Sequence, residues 1–327
     1  MKLATLRDGS RDGQLIIVSR DLKSAVIANN IAPTMQNLLD SWDFMAPQCE
    51  DLYVQLNQGR APYSFDFNPQ NCMAPLPRAY QFVDASAYVD YIELLCKARD
   101  AELPDLFRAE PLLHQAASDD FIGACDPVKI GDEALGIDFE SEIVVVTGDI
   151  DMGSKSDQAR EQIRLIMLAN DVSLRELIPD EMKKGFGFML SKPVTSFSPV
   201  AVTPDELGDA WGRGKLHLPL RSSVNGKLVG QPDAGVGMTF SFPQLISFLT
   251  KTRNIKAGTL IGSGAVFNKD SQKGCSSLYG VRALELTNGK EVTTSFLKFG
   301  DEIKIDMLDK HGKSIFGAID QKIEQSS

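Results

Sequence analysis

Short apolar runs separated by polar turns open the chain. The runs 3–6, 15–19 and 25–28 are each of strand length, and Arg-Asp-Gly-Ser-Arg-Asp-Gly separates the first two. Apolar runs of this length bounded by Asp-Gly signals are typical of antiparallel strands. The pattern therefore predicts a small antiparallel meander at the start of the chain.

A helical pattern and then a proline-rich segment follow the meander. Leu38, Leu39 and Trp42 share one face at helical spacing, which predicts helices over 34–44 and 48–56. Four prolines then fall between Gly59 and Tyr80. Because proline at this density blocks the interiors of helices and strands, the segment is expected to be an extended connector. We place a domain boundary here, with a small domain over 1–75 and a larger one over 76–327.

Strand-like runs dominate the second part. The unbroken Ile-Val-Val-Val run in 142–147 predicts a strand buried on both faces. A helix is expected over 156–168, and Asn-Gly pairs at 225 and 288 predict tight hairpins. Further strands are expected at 227–229, 259–266, 283–286, 291–296 and 302–307. Many strands with few helices indicate an α+β, β-rich fold and argue against a doubly wound sheet.

Composition narrows the possible functions. The 327 residues include 44 Asp plus Glu against 34 Lys plus Arg, for a net charge of −10, which disfavours nucleic acid as a partner. Three histidines, and five cysteines without CxxC spacing, disfavour a zinc site or a disulfide framework. No run approaches the roughly 20 apolar residues needed to span a bilayer. With no apolar signal region at the N-terminus, a cytoplasmic, non-membrane protein is expected.

Three acidic residues alternate within Gly136-Ile-Asp-Phe-Glu-Ser-Glu142. On a strand, Asp138, Glu140 and Glu142 would share one face, about 7 Å apart in succession. One interpretation is a solvated strand face. The other is a metal or catalytic site, because like charges entering a buried valine run require a counter-charge. The residues alone leave both open, and carboxylate oxygens would select Mg²⁺, Ca²⁺ or Mn²⁺.

Other polar residues carry weaker signals. Asp171 follows Asn170, which fits a helix end, and Ser173 with Glu176 fits a capping box, so Asp171 is open to interpretation as a turn residue. Lys192 stands alone in an apolar stretch. Thr203 before a proline predicts a helix start. The glycines of 258–264 could bind an anion through backbone N–H groups, or simply mark a strand end.

In combination, these segments resemble the fumarylacetoacetate hydrolase family. The matching stretches recur in family order over about residues 80–310. They are 136–148, Asn170-Asp-x-Ser-x-Arg175, Ser191-Lys-Pro, Asn225-Gly, Lys251-Thr-Arg, 258–264 and Phe299-Gly-Asp-Glu. The resemblance implies a mixed β-roll catalytic domain behind a small N-terminal β-barrel-like domain, and a homodimer.

The resemblance also implies a site and a chemistry. A divalent metal, Mg²⁺ first with Ca²⁺ or Mn²⁺ as alternatives, would stabilise the enolate released when a C–C bond of a 1,3-diketo (acylpyruvate-like) or 2-oxo acid is hydrolysed. The residues implied are the ligands Asp84, Glu140, Glu142 and Asp171, the catalytic Lys192, and the substrate-binding Arg99, Arg175, Ser263 and Gly264.

Four positions depart from the family pattern. The general-base histidine falls on Tyr91, its glutamate partner on Gly280, a tyrosine on His114 and a threonine on Ala265. Tyrosine is a poor base at neutral pH, so His114 is a candidate for the proton transfer. Three functions follow, in order: C–C hydrolysis with an altered proton relay; decarboxylation, hydration or isomerisation on the same metal site; and a metal-binding homologue without turnover.

Overall fold

The computed structural model describes residues 1–326 and shows a β-rich α+β fold. The strands are β1 Lys2–Leu6, β2 Gln14–Val18, β3 Ser24–Ile27, β4 Phe65–Asp66, β5 Phe82–Ala85, β6 Leu113–Ala116, β7 Val128–Ile130, β8 Ile137–Asp138, β9 Ser141–Thr147, β10 Ile163–Asp171, β11 Ser173–Leu174, β12 Thr195–Phe197, β13 Ala201–Val202, β14 Trp211–Gly212, β15 Lys215–Leu216, β16 Leu220–Val224, β17 Lys227–Gly230, β18 Leu260–Gly262, β19 Glu302–Met307 and β20 Ile319–Gln325. This content confirms the fold class expected from the sequence.

Eight α-helices connect these strands in the described part of the chain. They are α1 Met35–Asp40, α2 Trp42–Asn57, α3 Val89–Lys97, α4 Leu106–Ala109, α5 Ser156–Glu161, α6 Ile178–Lys184, α7 Phe242–Leu249 and α8 Leu278–Thr287. Short 3₁₀ helices cover Pro69–Asn71, Glu133–Leu135, Pro204–Ala210 and Ser271–Lys273. No helix within residues 1–326 has both the length and the apolar character needed to cross a membrane.

One large sheet organises the molecule. Its main path runs β4-β3-β2-β1-β13-β10-β9-β18-β5-β6, and β12 pairs with β10. Strands β1 to β3 form the expected antiparallel meander. Since β1 also pairs with β13, the N-terminal strands continue the sheet of the larger region. A barrel-like closure of the N-terminal region is therefore not confirmed, and the boundary at residue 75 stays a prediction.

The sheet separates two hydrophobic cores. In β9, Ile143 and Val145 belong to one core, whereas Val144 and Val146 belong to the other. Helices α1 and α2 cover the second core, and a five-stranded sheet, β17-β16-β19-β20-β7, flanks the first. Alternation along a strand explains this division, because successive side chains point to opposite faces. The expectation that 142–147 is a strand buried on both faces is confirmed.

Several local predictions were wrong. Residues 163–168 belong to β10, because β-branched and large apolar side chains pair between β9 and β13 and are buried on both faces. Residues 283–286 lie in α8, and Asn288 ends this helix instead of forming a hairpin. Residues 291–296 form no strand. The hairpin at Asn225-Gly226 is confirmed between β16 and β17, with both residues at positive φ.

Candidate active site

Three carboxylates converge at one end of the central strands. Asp84 lies in β5, Glu142 in β9 and Asp171 at the end of β10, and all three are at most 3% exposed. One oxygen from each lies within 4.8 Å of the others. The strand order brings them together, because β18 lies between β5 and β9 while β10 pairs with β9. We call Asp84, Glu142 and Asp171 the acidic triad.

Gly262 leaves room for the acidic triad. It lies opposite Asp84 in the β5–β18 pairing, and a Cβ atom at this position would clash with Asp84 Oδ1 and lie 3.0 Å from Glu142 Oε2. The backbone N–H of Gly264 donates hydrogen bonds to Asp84 Oδ1 (3.2 Å) and Glu142 Oε2 (3.1 Å). Any larger residue at 262 would therefore displace the two carboxylates.

The charge of the acidic triad is only partly compensated. Burial raises the pKa of Asp84 to about 6, although nearby His114 opposes the shift. Burial and repulsion from Asp84 and Asp171 raise the pKa of Glu142 well above its ordinary value. Glu142 Oε1 is buried and has no hydrogen-bond partner within residues 1–326. An unpartnered carboxylate oxygen in an all-oxygen cluster fits a divalent cation that prefers oxygen ligands.

Lys192 connects the acidic triad to a chain of ion pairs. Its Nζ lies 2.6 Å from Asp171 Oδ2 and 3.2 Å from Glu140 Oε2. Burial alone would lower the pKa of Lys192, but the carboxylates of Asp171 and Glu140 raise it above its ordinary value. Lys192 is therefore a permanently charged group at the edge of the triad.

Arg175 continues this chain. It pairs with Glu140 (Nη2 to Oε1, 2.6 Å) and with Asp138 (Nη2 to Oδ2, 2.8 Å). Although Glu140 is buried, Lys192 and Arg175 lower its pKa to about 2. Asp138 in turn accepts hydrogen bonds from the backbone N–H groups of Leu278 and Tyr279 at the start of α8. This series of ion pairs and hydrogen bonds therefore anchors the site to α8.

The expected single carboxylate face is wrong. Strand β8 ends at Asp138, two residues without strand pairing follow, and β9 begins at Ser141. Asp138 therefore pairs with Arg175, Glu140 pairs with both Arg175 and Lys192, and Glu142 belongs to the triad. Asn170 lies within β10, and Ser173 lies in β11, so the expected helix end and capping box are also wrong. Glu140 lies at the two cations, outside the triad, and its role as a metal ligand stays a prediction.

Tyr91 and Gly280, where the family pattern has its base and partner, are neighbours. Tyr91 lies in α3 and Gly280 in α8; a Cβ atom at 280 would lie 2.9 Å from Tyr91 Cε2 and 2.9 Å from Cys275 Cβ. The Tyr91 hydroxyl shares a 2.8 Å hydrogen bond with Ser277 Oγ. Burial raises the pKa of Tyr91 above its usual value. The tyrosine thus fills the space that a glutamate at 280 would occupy.

His114 and Arg99 lie at the same pocket. His114 is opposite Asp84 in the β5–β6 pairing; its Nε2 lies 3.9 Å from Asp84 Oδ2, and its ring meets Phe188 edge-on at 5.1 Å. Arg99 is exposed and donates to the Tyr279 hydroxyl at 2.8 Å. The cavity has a volume of about 570 Å³. The polar and small residues that line it are Asp84, Tyr91, Arg99, His114, Glu140, Arg175, Lys192, Gly264 and Ala265.

Other residues stand apart from the cavity or were not foreseen. Ser263 is fully buried behind it, where its hydroxyl donates to the Gly264 carbonyl and accepts from the Ile143 N–H. Sequence reasoning missed Tyr279, which contacts both Arg99 and Arg175, and gave no role to Asp138 beyond the carboxylate strand. A larger cleft of about 960 Å³ around Lys2 and Glu206 lies away from the triad.

Two family models match the chain, one over each part. The family model of the fumarylacetoacetate hydrolase C-terminal domain matches residues 82–324, and that of fumarylacetoacetase N-terminal domain 2 matches residues 1–78. The chain belongs to the fumarylacetoacetate hydrolase family. A mitochondrial oxaloacetate tautomerase of Xenopus laevis is 28% identical over 181 residues, 54% of this chain and 51% of the relative. A 2,4-didehydro-3-deoxy-L-rhamnonate hydrolase of a Sphingomonas strain is 29% identical over 158 residues, 47% of this chain and 52% of the relative.

Solved structures of the family share the whole fold. A fumarylacetoacetate hydrolase of Exiguobacterium antarcticum superposes with a TM-score of 0.69 at 16% identity, and a maleylpyruvate hydrolase of Sphingobium, in complex with manganese(II) and pyruvate, with a TM-score of 0.67 at 14% identity. Both cover 100% of each chain. In sequence, however, the chain spans about half the length of these two curated relatives. Hydrolases and tautomerases both occur among the relatives.

Proposed function

We propose that this chain is a divalent-metal-dependent enzyme that interconverts the keto and enol forms of a small 2-oxo acid. The observation that carries the proposal is the buried acidic triad beside Lys192, in a pocket whose family base position holds a hydrogen-bonded tyrosine. Such a site can stabilise an enolate but has no histidine–glutamate pair to activate water. The tautomerase named above acts on an acid of this class.

The acidic triad would hold the cation through Asp84, Glu142 and Asp171, with Glu140 as the fourth proposed ligand. Mg²⁺ is our first choice, and Mn²⁺ or Ca²⁺ suit the same oxygen atoms. When bound, such an ion supplies positive charge beside the oxo oxygen of the acid, which makes the neighbouring C–H proton easier to remove.

Two cations of the chain would bind the negative charge of the substrate. Lys192 stays protonated between Asp171 and Glu140, so it can donate a hydrogen bond to the oxygen on which charge develops. Arg99, at the exposed side of the cavity, can bind a carboxylate through its planar guanidinium group. Arg175 holds Glu140, and the Gly264 N–H holds Asp84 and Glu142. The Ser263 hydroxyl donates to the Gly264 carbonyl and so supports this loop from behind.

His114 is the proposed proton carrier. Tautomerisation moves one proton from carbon and delivers one to oxygen, and imidazole is well suited to both transfers near neutral pH. The Nε2 atom of His114 has no hydrogen-bond partner among the described residues and lies on the triad side of the cavity. Tyr91 is unsuited to this role, because burial raises its pKa and Ser277 engages its hydroxyl.

Hydrolysis of a C–C bond in an acylpyruvate is the second candidate. The Sphingomonas relative and the manganese-bound structure are both named as hydrolases, and the triad suits their chemistry equally well. We rank it second because hydrolysis also requires a base for water, and positions 91 and 280 provide none. A metal-binding homologue without turnover ranks third. The homodimer and the cytoplasmic location remain predictions.

Paired assays test the proposal. Purified protein, with Mn²⁺ or after chelation, would be given oxaloacetate and phenylpyruvate for tautomerisation and an acylpyruvate for cleavage. We expect metal-dependent tautomerisation that Lys192→Met abolishes and that Asp157→Asn, at an exposed acid, leaves unchanged. Acylpyruvate cleavage without tautomerisation would move hydrolysis to first place. If neither reaction occurs although Mn²⁺ binds, the homologue without turnover is correct.

A further inference from the structure

The cavity beside the acidic triad has one charged end and one apolar end. Asp84, Glu140, Arg175 and Lys192 line the charged end. The remainder is formed largely by aliphatic and aromatic side chains. These are Ile92, Leu95, Phe107, Leu112, Ile178 and Met182, together with Phe188. Several of them come from different elements, α3, α4 and α6, so the apolar wall is a built surface and not one helix face.

The charges available to a substrate are few. Lys192 already contacts two carboxylates, and Arg175 contacts two others. Of the cations that line the cavity, only Arg99 has no carboxylate within 4.0 Å in residues 1–326; its partner is the Tyr279 hydroxyl. Arg99 is the cation proposed to bind the carboxylate of the oxo acid itself. A second carboxylate placed against the apolar wall would then lose its hydration without gaining a free counter-charge, which is unfavourable.

The volume also exceeds what a small acid needs. About 570 Å³ lies within the range of pockets that enclose ligands much larger than a four-carbon acid. Phe188 packs edge-on against the ring of His114, so the apolar wall begins directly beside the proposed proton carrier. A substituent attached next to the reacting carbon would therefore reach this wall.

We infer that the preferred substrate is a 2-oxo acid with a bulky apolar group, aryl or branched alkyl, in place of a second carboxylate. This inference rests on the proposed function, because it concerns the substrate of the same site. The charged end, together with Arg99, accepts the oxo acid, and the apolar wall defined above accepts the apolar group. Apolar contact area then favours the larger acid.

A comparison of phenylpyruvate with oxaloacetate tests the inference. We expect kcat/KM for tautomerisation in Mn²⁺ to be at least about tenfold higher for phenylpyruvate, since a single methylene in an apolar pocket already gives about tenfold discrimination. The acids would also be compared as ligands, by the increase in melting temperature that each causes with Mn²⁺ present. Phenylpyruvate should give the larger increase.

Two matched variants assign any preference to the wall. Met182 is 53% exposed and its Sδ lies 3.9 Å from Arg99 Nη1, so Met182→Lys adds a cation to the apolar wall at a residue that tolerates charge. It should reduce the phenylpyruvate-to-oxaloacetate ratio at least about tenfold. Met189→Lys changes a residue that is 80% exposed and does not line the cavity, so the ratio should not change.

The outcomes separate this inference from the proposed function. Equal or better turnover of oxaloacetate by the unaltered protein overturns the inference and leaves the proposed function standing. Equal ratios in Met182→Lys and Met189→Lys overturn the role of the wall. If neither acid is turned over or raises the melting temperature with Mn²⁺, both the proposed function and the inference fail.

Discussion

The acidic triad and the surroundings of Tyr91 differ in how far their buried polar groups are compensated. On the triad side, buried carboxylates repel one another, and Glu142 Oε1 is without a partner in the described chain. At Tyr91, in contrast, the hydroxyl shares a hydrogen bond with Ser277 and the ring packs closely against Gly280. The first arrangement is costly unless a cation binds, whereas the second is stable as it stands. On the proposed function, the acidic triad would bind the metal, whereas the surroundings of Tyr91 lack the residues that would activate water.

Removing the charge of Glu142 should have the largest effect. Glu142→Gln relieves the repulsion that raises its pKa, so the metal-free protein should melt at a higher temperature than the unaltered one. Mn²⁺ affinity should fall more than about 100-fold, because even residues that only support metal ligands contribute about 10–100-fold. Calorimetric titration and thermal melting measure both effects. The control, Glu291→Gln, changes an exposed acid.

A Glu142→Gln variant that binds Mn²⁺ as tightly as the unaltered protein would show that the triad is not the metal site. A lower melting temperature without metal would show instead that Glu142 is structural. Either result removes the contrast between the two sides of the cavity.

The packing of Tyr91 against Gly280 predicts a coupled pair of mutations. Gly280→Glu alone should destabilise the fold by about 1–3 kcal/mol, because the new side chain overlaps Tyr91 and Cys275. Tyr91→His in the same chain should recover part of this loss through a coupling of about 0.5–3 kcal/mol. Urea unfolding of the single and double variants measures the coupling.

The double variant also has a functional outcome. If hydrolysis is limited by the absence of a histidine base and its glutamate partner, Tyr91→His with Gly280→Glu should gain acylpyruvate cleavage that neither single variant shows. Additive changes in the free energy of unfolding would show that the side chains at 91 and 280 do not compete for the same space, which contradicts the packing described above.

The pH dependence should differ between the metal-free and metal-bound protein. With a folded pKa of about 6 against 3.8 unfolded, Asp84 retains its proton in the fold, so the metal-free protein loses stability as pH rises between these values. Metal binding needs the carboxylate form. The increase in melting temperature caused by Mn²⁺ should therefore be small at about pH 5 and larger at about pH 7.5. An increase that is constant over this range contradicts the triad as ligand set.

The smallest effect is expected at the mouth of the cavity. Tyr279→Phe removes the hydroxyl that accepts a hydrogen bond from the Arg99 guanidinium, so Arg99 is held less firmly for substrate binding. KM for a 2-oxo acid should therefore rise about fivefold, equivalent to ~1 kcal/mol, with kcat unchanged. Steady-state kinetics separate the two parameters. A change confined to kcat would indicate that Tyr279 acts on the reacting centre and not on substrate binding.

Local patterns predicted the strands that pair with near neighbours. Strands β1 to β3, β9, β19 and the Asn225 hairpin follow from apolar runs and turn residues. The helix expected over 156–168 was half wrong, since 163–168 is held as a strand by pairing with β9 and, at Ile166, with β13. Helix α8 was missed because its apolar residues sit in a short run that also suits a strand. Tertiary pairing, which the pattern does not contain, decided these cases.

The site shows the same limit. The order of motifs led to Asp84, Glu142, Asp171 and Lys192, which the structure brings into one cluster. The division of Asp138 and Glu140 between cations could not be read from alternation, because it depends on two unpaired residues between β8 and β9. Tyr279 could not be found either, since it contacts Arg99 through the packing of α8 near α3, and Arg175 from the segment after β11.

Anomalous diffraction from a crystal soaked in Mn²⁺ would locate the cation independently of any activity. We expect one strong peak bounded by carboxylate oxygens of Asp84, Glu142 and Asp171, and the same map decides whether Glu140 joins them. A peak at another position, such as the larger cleft near Glu206, or no peak in a crystal whose triad is open to solvent, would contradict this expectation.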